Sequence, residues 1–261
     1  MSGYIAYEGP SRLGSGKPIV VIVTGVGTTK SEQSRNEKTG PLTQVWYLRS
    51  DKPPLEVIND GGDESICGKC PMRGYVEQTA DGPRNRMRSC YVDVSNAPRS
   101  IWNSYTNGKY EPLTDDIQWP TQKTRLGAYG DPSSAPFAVN RDLISRGKRK
   151  KNTGYTHQHA DSKFFPMRKM VMASVHSEEE ALRLQSEGWR TFRTMSEGDE
   201  LMPNEIMCPA SEAEGKRLTC EECLACSGIG LNMSRQNAVS VAIPAHGSPS
   251  KMGSYRKTFE V

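Results

Sequence analysis

The residue type whose spacing points most directly to chemistry in this 261-residue chain is cysteine, present seven times. Four cysteines fall within nineteen residues: Cys208, followed by proline, then Cys220, Cys223 and Cys226 in a repeating C-x2-C-x2-C run. An iron–sulfur cubane offers four iron corners. The triple run can place thiolates on three of them while the distant Cys-Pro supplies the fourth. Zinc is the rival. Tetrahedral zinc sites usually take two separated C-x2-C pairs, one per knuckle, which three successive cysteines suit less well. A split ribbon pairing Cys67 and Cys70 with Cys223 and Cys226 leaves three cysteines without a role. Glu221 and Glu222 make the segment too polar for a set of inert core thiols.

Cys67-Gly-Lys-Cys70-Pro and the later Cys90 form a second group. The Gly permits a tight knuckle, and free backbone amides there can donate to sulfur. Three thiolates on a cubane leave one corner open to a substrate or cofactor. The same count also fits a Cys3His zinc site completed by His157, His159, His176 or His246. Both readings stay open.

Other candidates lie where strands are expected to end. Arg125, Asp131, Tyr155, His157 and Gln158 are the expected substrate wall, because active sites of α/β barrels gather at the C-terminal ends of their strands. Tyr129, His176, Arg193 and His246 occupy similar positions. His157-Gln-His159 also has the form of a metal-binding His-x-His pair in a tyrosine nuclease, but Tyr155 shares its strand, which suits that chemistry poorly. Gly25-Val-Gly27 lacks the remainder of a nucleotide-binding fingerprint and reads as a turn. The basic run Arg146, Lys148, Arg149, Lys150 and Lys151 is either a solvated helix end or a phosphate contact.

Composition limits these choices. Hydrophobic residues make up 35% and charged residues 25%, and the net charge of +4 is too small to imply nucleic acid by itself. The longest apolar run, Ile19 to Val23, is strand-sized, far short of the roughly 20 residues that span a bilayer. The first residues lack the basic and apolar regions of a secretory signal. A cytoplasmic protein is expected, and in that reducing setting an odd number of cysteines reads as metal ligands rather than disulfides.

The elements that must position these residues are mostly legible. Residues 1–16 read as an extended arm. Lys17–Thr24 and Thr43–Leu48 read as a hairpin with a long mobile or ligand-binding connection, and the cysteine loops follow within 17–120. A helix is expected near Ala97–Tyr105. From 121 to 261 the texture is strand–helix alternation: strands at Arg125–Asp131, Thr153–Gln158, Met170–Val175, Trp189–Arg193 and Ala238–Pro244, with helices at Pro136–Ser145 and after Ser177. Ser177-Glu-Glu-Glu180 has capping-box spacing, and Ala181, Leu182 and Leu184 are the expected apolar face of its helix. The expected fold class is α/β, a partial or irregular (β/α) barrel with an N-terminal β-hairpin and cysteine-bearing loops.

Several segments together resemble a family of uncharacterised, cysteine-rich proteins encoded mainly by bacteriophages. They are Lys38-Thr-Gly40, Ile66-Cys-Gly-Lys-Cys-Pro71, Ser89-Cys-Tyr-Val92, Arg125-Leu-Gly-Ala-Tyr-Gly-Asp-Pro132, Thr153-Gly-Tyr-Thr-His-Gln158, Met172-Ala-Ser-Val175, Gly188-Trp-Arg-Thr-Phe-Arg193 and Cys208-Pro-Ala-Ser211. The resemblance implies a phage protein in the cytoplasm of an infected bacterium. The layout is also similar to radical S-adenosylmethionine enzymes with an auxiliary cluster. It differs from their C-x3-C-x2-C loop in that nineteen residues separate Cys70 from Cys90, and their glycine-glycine-glutamate motif is absent. The expectation is one or two iron–sulfur clusters, possible use of S-adenosylmethionine, and redox or radical chemistry on a small molecule. Cys208, Cys220, Cys223 and Cys226 would hold a closed cluster away from substrate. Cys67, Cys70 and Cys90 would hold an open one. The alternative is a non-enzymatic zinc protein that binds nucleic acid or a replication partner through the basic run.

Overall fold

The computed structural model describes residues 3–27, 29–80, 82–119, 121–215, 217–230 and 239–259. Its first sheet grows around the most apolar run of the chain. β2 (Pro18–Thr24) places Ile19 to Val23 at zero exposure, with β1 (Gly3–Pro10) antiparallel on one side and β3 (Thr43–Arg49) antiparallel on the other. The hairpin expectation is thus met. Within the segment expected to be an arm, residues 3–10 form β1, through which Tyr4, Ile5, Ala6 and Tyr7 pack against the core. The Gly, Ser and Pro that suggested an arm mark the ends of that strand rather than its middle.

After β3 the chain forms α1 (Pro54–Asn59), α2 (Glu64–Cys67), a separate hairpin of β4 (Tyr75–Thr79) and β5 (Gly82–Arg86), α3 (Ala97–Thr106) and the short β6 (Glu111–Pro112). Pairing then turns parallel. β7 (Thr124–Tyr129) lies along β3, and β8 (Asn152–Thr153), reached through α4 (Phe137–Arg146), lies along β7. The order is β6-β1-β2-β3-β7-β8, so this sheet draws strands from both sides of residue 120.

The second sheet is wholly parallel. β9 (Tyr155–Thr156), β10 (Met172–Val175), β11 (Thr191–Met195), β12 (Glu205–Met207) and β13 (Ser240–Pro244) stand in the order β12-β13-β11-β10-β9. Between β10 and β11 lies α5 (Glu178–Ser186), which buries Ala181 and Leu184. Leu182 is one position off that face and exposed. Ser177 Oγ accepts from the Glu180 amide at 3.2 Å, but the Glu180 carboxylate accepts from the amide of His176, so only half of the capping box closes.

The sheets meet at Gly154, the single residue between β8 and β9. Its N–H donates to Cys226 O at 2.9 Å and its carbonyl accepts from Met172 N at 3.0 Å. A Cβ there would lie 2.9 Å from Val171 Cγ1 and 3.0 Å from Leu126 Cβ, so only glycine lets the strands approach this closely. The structure is therefore mixed α/β with two parallel-rich sheets. The final helix, α7 (Pro249–Phe259), covers the ends of the second sheet, where Tyr255 Oη donates to Thr194 O at 3.1 Å. Among the described residues, no helix is long and apolar enough to cross a membrane.

Candidate functional site

The C-terminal ends of the parallel strands open onto a cavity of about 270 Å³. Cys67, Cys70 and Cys90 line it, and so do Cys208 and Cys220. Tyr129, Tyr155, Phe192 and Tyr255 supply aromatic wall, and Lys38 and Arg125 bring positive charge.

The first cysteine group is positioned by a hydrogen-bonded chain at the strand ends. Cys67 ends α2, and Gly68 follows with φ +56; a Cβ there would collide with Gln158. Gln158 Nε2 donates to Cys67 O at 2.9 Å and to Asp131 Oδ2 at 3.2 Å, while its Oε1 accepts from Lys69 N at 3.2 Å. Asp131 also accepts from Ser133 N at 2.8 Å, Thr156 Oγ1 at 2.9 Å and His157 N at 2.9 Å. These two side chains, expected to meet substrate, are thus occupied in holding the cysteine loop against β9. Cys90 is brought in through the main chain, its N–H and that of Ser89 both donating to Met72 O, at 2.9 and 3.0 Å. Amides of Met72 and Arg73 point at the Cys70 sulfur and that of Val92 at Cys90.

His157 is the histidine nearest this group, with Nε2 4.0 Å from Cys70 Sγ. The same Nε2 lies 3.2 Å from His176 Nε2, with the two rings 7° from coplanar, the geometry of an N–H···N hydrogen bond. Burial depresses the pKa of both rings, so the pair is neutral near pH 7. His159 turns away to Ser174 O at 3.1 Å, and His246 stacks beside Tyr91 with centroids 5.7 Å apart.

The second group is organised by α6 (Cys220–Cys223). Thr219 and Glu222 form a full capping box: Glu222 N donates to Thr219 Oγ1 at 3.3 Å, and Thr219 N donates to Glu222 Oε2 at 2.8 Å. The β2–β3 connection docks on this helix. Cys220 N donates to Lys38 O at 3.1 Å, Glu221 N to Thr39 O at 3.0 Å, and Lys123 pairs with Glu221 at 2.8 Å. Leu224, at φ +51, reverses the chain so that Cys226 returns toward Cys208, which follows β12. All four thiols wall one small void. The Tyr155 hydroxyl hydrogen-bonds Cys226 Sγ, and amides of Ala210 and Ser211 serve Cys208. The split pairing of Cys67 and Cys70 with Cys223 and Cys226 does not form.

All seven thiols are free. Burial raises the pKa of Cys67, Cys90, Cys208, Cys220 and Cys226, and takes that of Cys70 to about 12. Arg88 acts in the opposite direction on Cys90, as do Arg125 and Lys38 on Cys220. A thiol buried this way loses its proton most readily when a cation binds the sulfur and the proton is released to water. Among the described residues, no three His, Cys, Asp or Glu side chains are grouped as ligands of one metal ion. A mononuclear zinc needs every ligand about 2.0–2.3 Å from a single centre. A cubane instead spreads its thiolates over four irons.

Two expected residues have structural duties. Arg146 is buried, bound to Asp142 at 2.7 Å, Asp115 at 3.2 Å and Ile117 O at 2.9 Å, which removes it from the basic run. Lys148, Arg149 and Lys150 are exposed and Lys151 partly so, ahead of β8 and therefore at the opposite ends of the strands from the cavity. Arg193 is buried against Glu205 at 2.7 Å, joining β11 to β12. Residues overlooked in the sequence are Lys38, Ser89, Tyr91, Phe192 and Tyr255, all on the cavity wall. Ser89 and Tyr91 flank Cys90, a signal that was present. Comparison with known protein families, with curated proteins and with solved structures gives no match to this chain.

Proposed function

We propose that this protein binds iron–sulfur clusters at its two cysteine groups and uses them in redox chemistry on a small molecule in the cavity between them. The observation that carries this reading is that Cys67, Cys70 and Cys90 share one cavity with Cys208 and Cys220, while the four later thiols also surround a void of their own. A cubane supplies one-electron transfer, and one held by three thiolates keeps an iron able to take an outside ligand. The chain's own part is to aim amides at the sulfurs, to enclose the thiols away from bulk water, and to hold the Cys67–Cys70 loop through Gln158 and Asp131. His157 is the side chain placed to meet whatever occupies the position beside Cys70. Contrary to the expectation from ligand count alone, the Cys208 group also borders the substrate cavity through Cys208 and Cys220.

The consecutive parallel neighbours β3, β7, β8/β9, β10, β11 and β13 support reading the fold as an open barrel with the cavity at its mouth. That layout favours radical S-adenosylmethionine-like chemistry among the redox options, in a phage protein acting in the cytoplasm of its host. The zinc alternative, with nucleic acid or a replication partner at Lys148–Lys151, draws on the exposure of that turn.

Anaerobic purification with iron, sulfide and zinc analysis and an absorbance spectrum decides between them. Brown protein with matched iron and sulfide, reduced in amount by Cys220→Ser and separately by Cys90→Ser, is expected. Colourless protein with stoichiometric zinc would sink the cluster reading. Reductive cleavage of S-adenosylmethionine by the loaded protein then tests the radical branch. No cleavage under any reductant leaves electron transfer.

A further inference from the structure

Three polar groups beside Cys67, Cys70 and Cys90 are left unsatisfied by the fold. Tyr129 Oη, Ser89 Oγ and Arg88 Nη2 are buried and lack a hydrogen-bond partner among the described residues. Tyr129 is 2% exposed and Ser89 3%, and both line the cavity. Arg88 adjoins Tyr129, Cys67 and Cys90. Leaving a buried donor unpaired is costly, so two such hydroxyls on the cavity wall, with Arg88 beside one of them, call for a ligand.

The charges identify its class. Arg88 Nη1 binds Asp63 Oδ2 at 3.2 Å, but Asp63 also serves Arg73 at 2.8 Å, so one carboxylate faces two guanidinium groups. Across the cavity stand Lys38 and Arg125. Asp131, the single carboxylate among the described residues of the wall, spends its oxygens on Ser133, Thr156, His157 and Gln158. A guanidinium N–H can only donate and both hydroxyls can, so the acceptor that satisfies all three is an oxyanion. A water would accept two of these bonds and leave the third donor unpaired.

We propose that the cavity binds a small organic oxyanion, a carboxylate or phosphate, with its charged oxygens held by Tyr129, Ser89 and Arg88. Its body lies toward Tyr155 and Phe192, whose rings pack at a 37° tilt with centroids 4.3 Å apart on the same cavity wall. This deepens the proposed function and rests on it for the open metal position beside the bound anion.

The test is calorimetric titration of the protein as isolated, with its metal, using inorganic phosphate and benzoate as probes and benzamide as the neutral counterpart of benzoate. Binding of at least one anion, no binding of benzamide, and a weakening of roughly 5–30-fold in both Tyr129→Phe and Ser89→Ala are expected. Neither anion binding, benzamide binding as well as benzoate, or variants that bind like the parent would each overturn the inference. Iron and sulfide analysis of the same samples separates the two ideas. Anion binding lost on these substitutions in a protein that holds only zinc would support the oxyanion site while removing the cluster reading.

Discussion

At the scale of single residues, the side chains around the thiols carry separable duties. The Tyr155 hydroxyl donates to Cys226 Sγ from inside the protein. A hydrogen bond to a cluster sulfur stabilises the reduced, more negative state. On the proposed cluster reading, Tyr155→Phe is therefore expected to leave iron and sulfide content unchanged and to make the midpoint potential of the Cys208 group more negative in a potentiometric titration. His176 makes a different prediction. Burial, reinforced by His157 and His159, holds its pKa well below the ordinary value of a histidine. The unfolded chain then binds a proton near pH 6.5 that the folded chain refuses, so stability is lost as pH falls below that value. The slope is at most about 1.4 kcal/mol per pH unit per histidine held neutral. Urea midpoints between pH 7.5 and 5.5 should fall accordingly, and fall less steeply in His176→Phe.

At the scale of elements, α6 has four residues and no buried face, so its stability comes from its cap and from the β2–β3 connection docked on it. Thr219→Ala removes the cap and is expected to cost about 1 kcal/mol. Because Cys220 and Cys223 are the ends of that helix, the loss should appear as faster metal release to a chelator as well as a lower urea midpoint. The β2–β3 connection, Gly25 to Pro41, showed no pattern in the sequence because its partner lies nearly two hundred residues away. The helix that follows Thr219 was hidden for a different reason: at four residues it is too short to carry an apolar period. β2 and β10, by contrast, were legible because an unbroken β-branched or apolar run suits a strand buried on both faces. β1 was hidden by its Gly and Pro ends, whereas the strand expected at Thr153–Gln158 is divided by Gly154 into β8 and β9.

At the scale of the whole molecule, two connections decide whether the cavity exists. Gly154 passes the chain between the sheets, and Gly154→Ala is expected to destabilise by about 1–3 kcal/mol through overpacking against Val171 and Leu126, measurable by urea titration. Arg193 and Glu205, 2% and 0% exposed, tie β11 to β12, the strand that delivers Cys208. Arg193→Ala leaves a buried carboxylate unpaired and is expected to cost about 3–5 kcal/mol, in contrast to the ligand-binding defect its strand-end position suggested.

The sequence by itself determined the two cysteine groups, the α/β alternation after residue 121 and the central strand, because thiol spacing and apolar periodicity are local properties of a chain. It placed Asp131, Gln158, His157 and Tyr155 near one another for the same reason, as residues that end neighbouring strands. Only the tertiary structure decided that both cysteine groups face a single cavity, that Asp131 and Gln158 tie the Cys67–Cys70 loop to β9, and that Arg146 and Arg193 are buried in ion pairs. Those outcomes depend on which distant backbone groups and charges come within hydrogen-bonding range. A guanidinium or carboxylate looks the same in sequence whether its partner is a substrate or the chain itself.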